Sequence, residues 1–174
     1  ADAAGEEDCA VADGLLDAFY ATAPDKLRGH AMWFVGTTVS HWDEGAPPES
    51  LDRLRKLVER RLEAARQATT PADFVHELAN FGWWFASEKF DERWSLETLL
   101  AVLQLTRKAE SEMDVVKLLA SRCSRYPVEC VTCLRLMLEG DRERWLLLGV
   151  ENDAMELLQQ ALRSNHPDAA LNAR

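Results

Sequence analysis

Cys130-Val131-Thr132-Cys133, with Cys123 seven residues earlier, is the one place in this 174-residue sequence where soft-metal or redox side chains stand at a useful spacing. On a helix Cys130 and Cys133 share a face. A structural zinc site takes four ligands, and neither a second CxxC nor a CxxH accompanies the pair. Free cysteine is among the most buried residue types and packs as a small hydrophobe. The expectation is three core thiols, Cys123, Cys130 and Cys133; the alternative is a small helical metal-binding or enzymatic domain that uses them. His30, His41, His76 and His166 are scattered, without an HExxH, an i, i+4 pair or a nucleophile beside them. His76 stands four residues from Asn80 and reads as a polar flank of the core, and His41 precedes the carboxylate-rich turn Asp43-Glu44. There is no GxxxxGK[ST] and no GxGxxG, so no phosphate cradle is present. No residue is put forward as catalytic, metal-ligating or cofactor-binding, and no cofactor is expected.

The tryptophans carry more information. Trp83 and Trp84 are adjacent, so on a helix they point about 100° apart and cannot both sit at the centre of one core stripe. One must bridge to a neighbouring unit or face solvent, where an aromatic anchor can serve binding. Trp42 and Trp94 stand near loops and pose the same choice. With Arg53 and Arg60, these four tryptophans (Trp42, Trp83, Trp84, Trp94) are the candidate partner-binding residues.

What positions them is a helix, turn, helix unit from Phe74 to Leu105. Thr70, Pro71 and Asp73 are a helix start: a hydroxyl cap, a proline where no donor is needed, and a carboxylate at the positive end of the dipole. Phe74, Leu78, Phe81 and Phe85 then recur at steps of three or four. Ser95 is read as the cap of the second helix, with Leu96, Leu99, Leu100 and Leu103 on its apolar side. The charged Glu88–Trp94 connection is too short to hide, so the two helices are antiparallel neighbours.

Weaker versions of this unit flank it. Residues 1–8 are small and acidic, a frayed start; Val11, Leu15, Leu16, Phe19 and Tyr20 follow at helical spacing. Pro24 opens a helix with Leu27, Ala31, Phe34 and Val35 as its apolar members, broken by HWDEGAPP. Leu51–Gln67 carries a stripe of Leu51, Leu54, Leu57, Val58, Leu62 and Ala65 among charges in which Arg53, Arg55, Lys56, Arg60, Arg61 and Arg66 outnumber Asp52, Glu59 and Glu63. A solvated face with pairs such as Asp52 with Lys56 is the ordinary reading of this helix, and docking of an acidic partner the functional one. Ser111 to Asp114 is a capping-box pattern, Tyr126-Pro127 divides two helices, and Gly140 closes the second. Arg144–Val150 reads as a short apolar piece containing Trp145, after which Asn152 caps a helix that Ser164 to Pro167 ends.

Trp33-Phe34 set against Trp84-Phe85, and Phe74-Val75 against Val115-Val116, give internal offsets of 51 and 41 residues. A helix pair every forty to fifty residues with few identities resembles HEAT or armadillo-type α-solenoids. The run FGWWFASEKFDERW, followed by LLAVLQL, YPVECVTCLRLMLEGD and DAMELLQQAL, is similar to the C-terminal helical-repeat part of large bacterial multidomain proteins, some of which carry a P-loop NTPase module upstream. That resemblance covers the second half of the chain and rests on packing motifs. It implies a sensing or scaffolding arm, and it assigns no site residue.

Composition agrees with one folded, mostly helical domain over residues 9–174: 47% hydrophobic, 29% charged, 8 Gly and 6 Pro. A net charge of −10 argues against a general nucleic-acid surface, leaving the Arg53–Arg66 helix as the one place such binding could reside. No run is long and apolar enough for a membrane span. Four cysteines are too few for a secreted disulfide scaffold and favour a reducing cytoplasm. The chain lacks an initiator Met and stops soon after His166-Pro167-Asp168 opens another helix, so it reads as a segment of a longer protein. The sequence thus predicts an all-α, right-handed stack of antiparallel helical hairpins, a HEAT-like α-solenoid of about eight to ten helices. Its expected function is non-enzymatic: an interaction or regulatory segment whose partner is a protein or peptide.

Overall fold

The computed structural model describes residues 14–42, 48–141, 145–164 and 166–168, and every regular element among them is helical. The acidic stretch 1–8, Cys9, Val11 and the Asp43-Glu44 turn lie outside the described residues. Helix α1 covers residues 14–22. It is followed by α2 (Asp25–Ser40), α3 (Pro48–Gln67), a 3-10 turn (Pro71–Phe74), α4 (Val75–Ala79), α5 (Phe81–Ala86), α6 (Glu92–Thr106), α7 (Glu112–Arg122), α8 (Pro127–Gly140) and α9 (Trp145–Arg163). None of these is long and apolar enough to cross a membrane.

The central unit forms, with three departures from expectation. Pro71 starts it as a 3-10 turn, and the first helix is broken at Asn80 into α4 and α5. The cause lies in a distant loop. The Ala79 carbonyl, which would accept from Trp83 in an unbroken helix, instead accepts the Glu110 N–H at 2.8 Å, and the Trp83 N–H turns to the Asn80 carbonyl at 3.1 Å. Gly82 lets that loop approach: a Cβ there would stand 1.9 Å from the Glu110 carbonyl oxygen. In the second helix Asp91, not Ser95, is the cap, its carboxylate accepting the Trp94 N–H at 2.8 Å. Ser95 lies one turn inside, buried, its hydroxyl donating to the Glu92 carbonyl at 2.9 Å.

Packing runs in two parallel successions. Helix α2 packs on α4 and α5, α5 on α7, and α7 on α9; α3 packs on α6, and α6 on α8. Between the two, α6 meets α4 and α5, and α8 meets α7 and α9. Leu78, Phe81 and Phe85 join Leu96, Leu99, Leu103, Val115, Leu119, Leu134 and Leu157 in one continuous core. Each such side chain contributes about 1.5–3 kcal/mol by leaving water.

Helix α2 turns a different face inward from the one its spacing suggested. Its buried positions are Arg28, Gly29, Met32, Gly36 and Val39. Leu27 and Phe34 are exposed, and Ala31 and Val35 are half-buried. Apolar residues surround this helix, so periodicity does not select a face; closeness of approach does. A Cβ on Gly29 would lie 2.9 Å from the His76 carbonyl oxygen, and one on Gly36 2.6 Å from the Trp84 ring. The match of Trp33-Phe34 to Trp84-Phe85 therefore fails, since the first pair is exposed and the second buried. In the other match Phe74 and Val75 are half-buried where Val115 and Val116 are buried, although Leu78, Ala79, Leu119 and Ala120, one turn further on, are all buried.

Other boundaries divide similarly. Tyr126 precedes α8, with Pro127 in its first turn. Gly140 ends that helix without a positive φ; it is needed because a Cβ would stand 1.9 Å from the Arg107 carbonyl oxygen. Ser111 precedes α7, but its hydroxyl donates to the Asp114 carboxylate at 2.6 Å and bonds no backbone group, so the capping box is side chain to side chain. The apolar piece containing Trp145 and the helix after Asn152 are a single helix, α9, in which Asn152 is an exposed interior residue.

A buried ionic cluster that sequence reading missed ties the first four helices together. Glu77 is fully buried, and both Arg28 and Arg61 donate to its carboxylate at 2.5 Å. Arg28 also donates to the carbonyls of Ala23 and Asp73, and the Asp25 carboxylate accepts the His76 and Glu77 N–H groups at 3.0 and 2.9 Å. The Arg61 guanidinium lies 5.3 Å from the Tyr20 ring and 5.2 Å from that of Phe74.

Candidate functional site

The three described cysteines are core residues. Cys123, Cys130 and Cys133 are free and fully buried, and Cys123 Sγ donates to the Leu157 carbonyl at 3.4 Å. Burial pushes the Cys123 thiol from 9.0 up to about 11. It raises Cys130 and Cys133 too, Cys130 also through repulsion by the two other thiols and Glu129. A thiol held protonated is a poor nucleophile and a poor ligand. Among the described residues no group of three or more His, Cys, Asp or Glu is arranged to hold a metal ion.

The tryptophans separate into core and surface. Trp84 is fully buried and donates its indole N–H to the Met32 carbonyl at 2.8 Å, so it locks α5 to α2 and is not accessible to a partner. Trp94 is half-buried in a ring cluster, its centroid 5.2 Å from Phe90 and 5.9 Å from Phe81, with its indole N–H on Glu59 at 2.9 Å and the Arg55 guanidinium over it at 5.0 Å. That arrangement joins α6 to α3. Trp83 and Trp42 remain half-buried and line grooves.

Trp83 stands where two grooves meet. One, of about 460 Å³, lies over α2, α4 and α5 and is walled by Lys26, His30, Trp33, His76 and Trp83, with Glu110 at its edge. The other, of about 550 Å³, continues toward α7 past Trp83, Glu88, Asp114 and Lys117. Together they make a strip across four helices with aromatic walls, charges of both signs, and Asn80, whose side-chain amide donates to the His76 carbonyl at 2.7 Å. His30 and His76, far apart in sequence, are brought together here; His41 is exposed, its Nδ1 2.7 Å from the Thr37 carbonyl and 3.2 Å from the Ser40 hydroxyl. The adjacency of Trp83 and Trp84 was the one sequence signal of this surface.

Trp42, Arg53 and Arg60 line a third groove, of about 330 Å³, between α1, α2 and α3. The cations of α3 are largely engaged: Arg60 pairs with Asp17 at 3.0 Å and Lys56 with Asp52 at 2.7 Å, while Arg61 turns inward to Glu77. That leaves little of the uninterrupted basic face that phosphate binding requires.

No protein-family model, curated protein or solved structure matches the chain. Among the described residues the fold is all-α, and its grooves include one surface that is aromatic and polar and a separate one that is apolar with arginines at its rim.

Proposed function

We propose that this chain is a non-enzymatic protein-interaction segment, a short HEAT-like α-solenoid that serves a larger protein as a regulatory or scaffolding arm. The succession of packing supports the architecture: α2 meets α4, α4 meets α6, α5 meets α7, α6 meets α8 and α7 meets α9, as in stacked helical hairpins. The observation that carries the function is the strip through Trp83. Rigid aromatic walls gain contact area at low entropic cost, and mixed charges along the strip set register, which suits an extended peptide of a partner protein.

A random peptide library displayed on phage tests this. Selected peptides should move the indole N–H resonances of Trp33 and Trp83 while leaving that of buried Trp84 in place. Trp83→Ala and Trp33→Ala should each weaken binding about tenfold or more, with melting curves confirming that both variants fold. A library that yields no binder, or binders indifferent to both substitutions, would overturn the proposal.

A further inference from the structure

Large exposed apolar side chains gather on the first two helices: Leu15 at 69% and Leu16 at 42% exposure on α1, with Leu27 at 51% and Phe34 at 64% on α2. Leu27 and Phe34 are two turns apart on one line of α2. The opposite face of α2, with Gly29, Met32 and Gly36, is the one α4 and α5 cover. Scattered exposed leucines need no explanation, but apolar residues converging on a groove do. Here Leu16, Phe34, Trp42 and Leu54 form its walls, and Arg53 and Arg60 stand at its rim.

Charge narrows the occupant. Among the described residues the charged side chains lining this groove are Arg53 and Arg60, with no carboxylate beside them in the lining, on a chain whose net charge is −10. A carboxylate is therefore attracted to this rim and repelled by the molecule as a whole, which favours arrival at this place. The same net charge opposes pairing with a second copy and adsorption to an anionic bilayer. The groove runs between helices, the setting in which an amphipathic helix inserts side chains at i, i+3 and i+7.

We infer that this groove is a docking site for an amphipathic helix of a partner protein, apolar along one face and bearing carboxylates beside it that meet Arg53 and Arg60. The Arg60–Asp17 pair is exposed, and such surface pairs contribute about 0–1 kcal/mol, so an incoming carboxylate can share or replace it. This surface shares no lining residue with the Trp83 strip.

Two synthetic helical peptides with identical Leu and Phe positions, one flanked by Glu and the other by Lys, are titrated into the full chain by calorimetry. The Glu peptide should bind about tenfold or more tightly than the Lys peptide, and added salt should weaken it. Phe34→Glu should reduce binding about tenfold or more, and the double variant Arg53→Glu, Arg60→Glu should reverse the peptide preference. Trp83→Ala should leave this binding intact, so failure here and failure of the Trp83 strip are separate results. The inference falls if neither peptide binds, if both bind equally, or if Phe34→Glu has no effect. It also falls if sedimentation shows a dimer that Phe34→Glu abolishes in place of peptide binding, or if phosphatidylcholine–phosphatidylserine vesicles bind the chain more tightly than the Glu peptide does.

Discussion

Glu77 shows how one residue can organise a third of the chain. Its carboxylate sits between Arg28 of α2 and Arg61 of α3, with Tyr20 of α1 against the Arg61 guanidinium. Breaking a buried ion pair from one side leaves the other charge without compensation, at about 3–5 kcal/mol. Glu77→Gln should therefore lower the unfolding free energy by an amount in that range, read by guanidinium unfolding. Tyr20 reports on the same cluster. Burial raises its phenol from 10.0 to about 12, the Glu77 charge adds to the rise, and Arg61 and Arg28 oppose it. Because the folded value lies above the unfolded one, the stability this group contributes is complete below pH 10 and is lost as pH rises through about 12. In Glu77→Gln the negative charge is gone and the two guanidinium groups remain, so Tyr20 should ionise at lower pH in a phenolate absorbance titration. An unchanged titration with unchanged stability would mean that the cluster is not closed in solution.

Among the elements, the link between α6 and α7 sets the positions of the others. Arg107 and Ser111 hold positive φ at 55° and 56°, and the carbonyls of Glu110 and Arg107 press on Gly82 and Gly140. Gly82→Ala gains about 1 kcal/mol of helix propensity but drives a Cβ to 1.9 Å from a carbonyl oxygen, so a net loss of about 2 kcal/mol or more is expected. Gly149 in α9 is the contrasting case. Its nearest neighbours would be Met113 Sδ at 3.6 Å and Cγ at 3.8 Å, ordinary contact, and Gly149→Ala should stabilise by about 0.5–1 kcal/mol. Denaturant midpoints that move in the same direction for both variants would contradict this account. The same link explains which parts of the fold could be read from sequence. The start at Pro127 and the stop at Ser164 are local chemistry and were legible. The break at Asn80 was not, because its cause is an N–H thirty residues away. Ser95 read as the cap of α6, but the backbone places Asp91 there, one turn earlier. The inward face of α2 was hidden because glycines, which carry no hydrophobic signal, mark it. Trp83 could be singled out by adjacency alone, whereas the meeting of His30 with His76 required the packing of α2 on α4.

For the molecule as a whole, the issue is whether its two successions of helices behave as an open stack or as a closed bundle. In a stack, stability is close to a sum of unit terms and nearest-neighbour interfaces, so damage stays local. Leu157 is fully buried in α9, beside the thiol that Cys123 directs at its carbonyl, and α9 packs on α7 and α8. Met32 is fully buried in α2, which packs on α4 and α5. Each substitution, Leu157→Ala or Met32→Ala, opens a cavity worth about 2–5 kcal/mol. Native-state hydrogen exchange should then show protection falling in α7, α8 and α9 for the first while α2 and α3 keep theirs, and in α2, α4 and α5 for the second while α9 keeps its own. A closed bundle unfolds as one unit, and either substitution would lower protection equally from α2 to α9. Local loss in both variants would support repeat-like stacking, and would leave the Trp83 strip, whose lining comes from α2, α4, α5 and α7, as the surface whose shape answers to stability at either end.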